Sequence, residues 1–149
     1  RPSSRGEINI VSNDSREYPK IKMNYLSTED DRYVAALGLK IIRKIMLETN
    51  TFKKYEPEEY RPGIHIEDNE ELVKAASDYA QTIFHPVGTC KMGCDSDSVV
   101  NDELKVHGIE NMRVIDASIM PNITSGNTNA PTIMIAEKGS DMILKSNNV

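Results

Sequence analysis

Polar and apolar residues alternate along Gly6-Glu7-Ile8-Asn9-Ile10 and again along Lys20-Ile21-Lys22-Met23-Asn24-Tyr25. A period of two sends successive side chains to opposite faces, so each segment predicts a half-buried strand. Between them, the stretch from Ser12 to Pro19 is rich in turn formers, which predicts an antiparallel pair. From Ser27 the period changes. Ser27 with Asp30 resembles a capping box, and Val34, Leu37, Ile41 and Ile45 then share one helical face. The spacing predicts a long amphipathic helix ending at about Glu48. Pro57 and Pro62, set among charged residues, make Asn50 to Gly63 a surface loop. Asp68 and Glu71 mark the next helix start, with Leu72, Ala75, Ala76 and Tyr79 as its buried stripe.

Beyond Tyr79 the run Thr82-Ile83-Phe84 predicts a strand that stops at His85-Pro86-Val87-Gly88-Thr89. Pro86 has no N–H to give a ladder, and Gly88 permits close backbone approach. Arg113-Val114-Ile115-Asp116 predicts a further strand, and Pro121 to Asn129 a polar loop. Pro131 suits the first turn of a final helix, carried on by Ile133, Met134, Ala136, Met142 and Ile143. The chain has no internal repeat and no low-complexity tract.

Charge and composition narrow the classes of function. Against 23 acidic residues stand 18 Lys and Arg, a formal net charge of -5, and the basic residues form no cluster. Phosphate binding needs a basic surface, so a nucleic-acid partner is disfavoured. With 38% apolar and 28% charged residues the chain is of the soluble globular kind. Its longest apolar runs fall far short of the roughly 20 residues that cross a bilayer, so no membrane span is expected. The first of the 149 residues is Arg1, and Arg1-Pro2-Ser3-Ser4-Arg5-Gly6 holds no apolar signal core. The chain therefore reads as a processed or partial piece of something longer. Two sequons, Asn13-Asp14-Ser15 and Asn122-Ile123-Thr124, are compatible with secretion and leave localisation open.

Glycines lie at 6, 38, 63, 88, 93, 108, 126 and 139, so no two flank a single residue and a GxGxxG fingerprint is absent. Gly88 and Gly93 have phosphate-loop spacing, but Cys94 follows where that loop requires Lys. The chain by itself holds no dinucleotide-anchoring loop. Cys90-x3-Cys94-x12-His107, with His85 as a fourth group, follows part of a zinc-finger spacing. The second histidine expected beyond His107 is missing, since positions 111 to 113 are Asn, Met and Arg. Free thiols and a surface histidine are the preferred reading, and no metal is expected. A His85 and Cys90 base and nucleophile pair has little weight, because such pairs depend on spatial rather than sequence proximity.

Three blocks remain: Phe84-His85-Pro86-Val87-Gly88-Thr89-Cys90-Lys91-Met92-Gly93, Arg113-Val114-Ile115-Asp116-Ala117-Ser118-Ile119-Met120-Pro121 and Gly126-Asn127-Thr128-Asn129-Ala130-Pro131-Thr132. In this order, with Asn127 42 positions after His85, they resemble the C-terminal region of the glucose-methanol-choline (GMC) oxidoreductases. The Ile83 to Gly93 block is similar to that of arthropod glucose-dehydrogenase-like members. The strand-strand-helix pattern upstream resembles the family's substrate-binding domain, so the resemblance extends over essentially the whole chain.

The resemblance implies an α+β fold in two parts. Residues 1–112 would be a C-terminal substrate-binding region with antiparallel sheet and helices, carrying the active-site histidine. Residues 113–149 would be the last strand and helix of the FAD-binding domain, whose N-terminal dinucleotide fold is absent. The implied function is that of a flavin-dependent alcohol oxidoreductase, of choline, glucose or other alcohol dehydrogenase or oxidase type. Hydride would pass from a CH–OH donor to FAD, with His85 as the base. Asn127 matches the second active-site position, which is His in some members and Asn in others such as those acting on choline. Asp116 and Ala117 match the backbone that lies along the cofactor, and Thr128 and Asn129 would lie within reach of the isoalloxazine. The helix start near Pro131 would point its positive end at the flavin's pyrimidine side. The partners implied are a small-molecule alcohol and the N-terminal remainder of the same chain. Two alternatives stay open: Asp116 as a plain cap of the next turn, and a non-catalytic binding or zinc module of the same fold.

Overall fold

The computed structural model describes residues 1–146. Its contacts divide the chain into two compact units, residues 2–81 and the residues from Thr82 on, the latter taking Arg1 with it. Both expected N-terminal strands form, as β1 (Glu7–Asn9) and β2 (Lys20–Lys22), paired antiparallel with Ile8 opposite Ile21. They are shorter than the alternation predicts and are not half-buried. Ile8 is 45% and Ile21 61% exposed, because a two-stranded ribbon covers neither of its own faces.

The first helix, α1 (Glu29–Arg43), is capped one residue later than expected: Thr28, not Ser27, accepts from the Asp31 amide. Ser27 is engaged upstream, where the Ser4 hydroxyl accepts from the amides of Ser27 and Thr28. The Asp31 carboxylate accepts in turn from the amides of Ser3 and Ser4, at 2.9 and 2.8 Å. The Ser4 side chain and these amides hold its pKa down at about 2, below the ordinary 3.8. Folding that prefers the ionised form is stabilised above the ordinary pKa and loses that contribution as pH falls from about 4 through 2. Urea unfolding of Asp31→Asn should accordingly show a less stable protein at neutral pH, with the difference from the parent vanishing near pH 2.

Past Arg43 the helix widens into a π turn, Lys44–Glu48, closed by the Thr49 hydroxyl on the Ile45 carbonyl at 2.6 Å. The expected end at Glu48 is met, though not as α-helix throughout. A single turn, α2 (Asn50–Lys53), lies within the segment expected to be a loop. Asp68 caps α3 (Asn69–Tyr79) through the amides of Glu70 and Glu71. Leu72 and Ala75 of α3 are buried, as is Ala36 of α1, and Ala36 is small enough to let the two helices approach closely. The stripe singled out by its period, Val34, Leu37, Ile41 and Ile45, is instead 40–62% exposed. Helix α1 thus carries two apolar faces, and α3 lies on the one marked by the smaller residue. Tyr79 is likewise exposed, at 52%. Arg43 holds the following loop, its Nε and Nη2 donating to the two carboxylate oxygens of Glu59 (2.6 and 2.8 Å) and its Nη groups to the carbonyls of Gly63 and Ile66.

In the unit from Thr82, Val100, Leu104, Ile119, Met120 and Ile135 form the buried core. Residues 90–114 surround it as loops stitched by single bridges, Met92 with Val100, Val100 with Val106 and Lys105 with Arg113. Neither strand expected here is formed. Only Arg113 and Val114 of the second find a partner, the latter donating to the Leu104 carbonyl at 3.1 Å. A short 3₁₀ turn, Ala117–Ile119, is followed by the final helix α4 (Asn129–Ser146). The last three residues of the expected 113–149 region lie outside the described residues. Of α4, Ile135 and Gly139 are buried, whereas Ile133 and Met134 are more than half exposed. A β-carbon on Gly139 would sit 2.4 Å from Ile115 Cγ2, on the stiff branch of that side chain. Gly139→Ala should therefore lower stability by up to about 2 kcal/mol in thermal or urea unfolding. Overpacking of about 1–3 kcal/mol outweighs the ~1 kcal/mol that Ala gains over Gly inside a helix.

Candidate active site

His85 lies where the backbone leaves its expected strand. Phe84 has φ 61°, a left-handed conformation that a bulky residue seldom adopts, and its amide donates to the Thr82 hydroxyl at 3.1 Å. With Ile83 73% and Phe84 81% exposed, no strand among the described residues pairs with this stretch, and a local side-chain hydrogen bond stands in place of the expected ladder. His85 itself is half-buried. Among the described residues no hydrogen bond reaches either of its ring nitrogens.

Downstream of His85 the chain is fixed firmly. Val87 packs on the core, and Gly88 at φ 88° would bring a β-carbon to 3.3 Å from the Met120 carbonyl oxygen. The amide of Cys90 donates to Ser118 O at 3.0 Å, and that of Met92 to Ile119 O at 2.8 Å. The His85 block and the Asp116 block thus run side by side. The sequence contains no pattern for this pairing, since it is a bond between two irregular segments.

Asp116 caps the 3₁₀ turn, its Oδ1 accepting from the Ser118 amide at 2.8 Å and from the Ser118 hydroxyl. Asp116 therefore caps this turn, and Ala117 packs partly buried against the core. In the third block Asn127 is exposed, Thr128 is buried at 8%, and Asn129 opens α4. The Thr128 carbonyl accepts from both the amide and the hydroxyl of Thr132, at 3.0 and 2.6 Å. The amides of Asn129 and Ala130 have no acceptor among the described residues, as is usual in a helix's first turn, and Pro131 has no N–H to leave unpaired. The third block joins the others through Ile135, Met120 and the contact of Gly139 with Ile115. No hydrogen bond connects His85 to Asn127.

The cysteines are free thiols, Cys90 half-buried and Cys94 exposed. His107 Nε2 lies 3.0 Å from the Gly93 carbonyl, a contact that takes up one of the nitrogens required by the zinc-finger spacing. Among the described residues no group of three or more His, Cys, Asp or Glu side chains is arranged to hold a metal ion. No described helix is long and apolar enough to cross a membrane.

Among the described residues the chain is thus α+β, with four α-helices and a two-stranded sheet, and it sets a histidine segment beside a capped turn. Residues 2–136 match the family described as GMC oxidoreductase, and the chain belongs to that family. It is 48% identical over 143 residues to an oxygen-dependent choline dehydrogenase of Citrobacter koseri, and 49% identical over 143 residues to that of Proteus mirabilis. These matches cover 96% of this chain but 25% and 26% of the relatives, so the chain spans about a quarter of their length. Among solved structures it is similar to a formate oxidase of Aspergillus oryzae, with TM-score 0.89, 30% identity and coverage of 99% of this chain and 26% of that one. A pyridoxine 4-oxidase of Mesorbium loti matches with TM-score 0.85 and 32% identity, over 94% of this chain and 27% of that one.

The family is FAD-dependent, and the donor set fits such a group. Two unpartnered amides at the positive end of an 18-residue helix, beside the exposed amide side chain of Asn127, suit a ring that gains negative charge when reduced.

Proposed function

We propose that this chain is the C-terminal portion of an enzyme that oxidises a small polar alcohol with FAD, His85 taking the hydroxyl proton. In this reading residues 1–112 belong to the substrate side and residues from 113 on to the FAD-binding domain, completed by the N-terminal remainder of the same chain. The observation that carries it is the convergence of the three sequence blocks on one core, with the imidazole of His85 making no hydrogen bond among the described residues.

When bound, FAD would supply the acceptor for the hydride of the alcohol's C–H bond, which carries both electrons of the oxidation. The chain's own residues handle the rest of the balance. An imidazole nitrogen of His85 accepts the O–H proton, so that the alcohol becomes a carbonyl as the hydride departs. The Asn127 side-chain amide donates to the substrate oxygen while negative charge grows there, and it has no basic nitrogen with which to compete for the proton. Asn129 and Ala130 offer amides, and the buried Thr128 fixes the helix start from which they project. Ala117 and the peptide after Asp116 would lie along the cofactor.

Two substrate placements compete. The Ile83 to Gly93 block is similar to arthropod glucose-dehydrogenase-like members, whereas the relatives at 48% and 49% identity are choline dehydrogenases and Asn127 suits that type. Choline is the placement we favour. Anaerobic mixing of the full-length, FAD-loaded protein with choline should bleach the oxidised flavin band faster than glucose does. Bleaching by glucose alone would move the enzyme to the other placement, and no bleaching by any alcohol would overturn the proposal.

A further inference from the structure

We infer that Thr82 is a positioning residue for His85, acting through the left-handed turn at Phe84. The inference rests on the reading of His85 as the base. Four observations lead to it. First, neither ring nitrogen of His85 has a partner among the described residues, so no hydrogen bond aims the half-buried side chain and its direction depends on the backbone that carries it. Second, that backbone is pinned on one side only by the core: Val87 packs there, Gly88 lies against Met120 O, and Cys90 N bonds Ser118 O at 3.0 Å. Pro86 adds rigidity on this side, fixing its own φ and restricting His85 to extended angles.

Third, among the described residues the one hydrogen bond made by residues 82–84, just upstream of His85, runs from the Phe84 amide to Thr82 Oγ1, at 3.1 Å, at the very start of this unit. Fourth, Phe84 holds φ 61°, an angle costly to a bulky residue, and it is 81% exposed among the described residues, where no packing of the ring offsets that cost. A strained residue persists where its surroundings over-determine it, and the Thr82 hydroxyl is the group that does so here. Were the turn to relax to ordinary angles, the peptide entering His85 would rotate and the imidazole would swing with it. A misplacement of about 1 Å at a reacting group can cost on the order of 10²-fold.

The test uses the full-length, FAD-loaded enzyme with Thr82→Val, which keeps the shape but removes the acceptor, and Thr82→Ser, which keeps the acceptor. Thr82→Val should slow the limiting rate of flavin reduction about 10–100-fold while alcohol affinity stays within about twofold, and Thr82→Ser should return most of the rate. Hydrogen exchange supplies a readout independent of turnover: the Phe84 amide should exchange about tenfold faster in Thr82→Val and not in Thr82→Ser. If Thr82→Val fails to retain FAD, Phe84→Val carries the same test, because a β-branched residue disfavours the left-handed angle while leaving the hydroxyl in place. A slow His85→Ala beside a parental rate in Thr82→Val overturns the positioning role alone. A parental rate in His85→Ala overturns the base assignment and this inference together.

Discussion

His85→Ala in the complete flavoprotein should slow alcohol-dependent flavin reduction by about 10²–10⁴-fold while leaving FAD bound, since that is the usual cost of removing a positioned base. The FAD should stay because the core beneath the site does not involve the imidazole. Val87, Met92, Ile119 and Met120 hold the segment, and the hydrogen bonds from Cys90 and Met92 to the next block are made by backbone. Rapid-mixing absorbance at the flavin band measures the loss, and a desalting step measures the retention. Loss of rate and cofactor together would point to a folding defect instead.

Asn127 carries the second large effect. Its amide is exposed on the loop that leads into α4, beside buried Thr128, and it is assigned to the substrate oxygen. Removing one preorganised donor typically costs about 10²–10³-fold, so Asn127→Ala should lower the limiting reduction rate by that much. Asn127→His, which restores a ring N–H donor, should retain more activity than Asn127→Ala. Equal and parental rates in both variants would show that Asn127 is not at the reacting atoms. Stability should hardly change in either, because the side chain has no hydrogen-bond partner to lose among the described residues.

The contrast between these two residues and the rest of the chain shows what a linear pattern carries. Asp68 was readable as a cap because its bonds, to Glu70 and Glu71, are made within three residues. The three blocks around His85, Asp116 and Asn127 were readable as combinations of residue type and order. Thr82-Ile83-Phe84 misled because β-branched and aromatic residues favour a strand only where a neighbouring edge exists. Here the hydroxyl of Thr82 closes a local turn instead. The period of Val34, Leu37, Ile41 and Ile45 reports that a face is apolar, not that anything covers it, and the face that meets α3 was marked only by the small Ala36. The Arg43 and Glu59 pair, 16 positions apart and 15% and 12% exposed, leaves no trace in any periodicity. The same holds for Gly139 against Ile115, where a missing side chain is the informative feature.

The role given to His85 is tested most directly by the pH dependence of flavin reduction in the parent and in His85→Ala, followed by anaerobic stopped flow from about pH 5 to 9. A neutral imidazole takes the hydroxyl proton and an imidazolium cannot, so the parental rate should fall on the acid side as the ring becomes protonated. In His85→Ala the remaining slow rate should show no such acid limb. An acid limb that survives unchanged in His85→Ala would mean that another group accepts the proton, and would contradict the account.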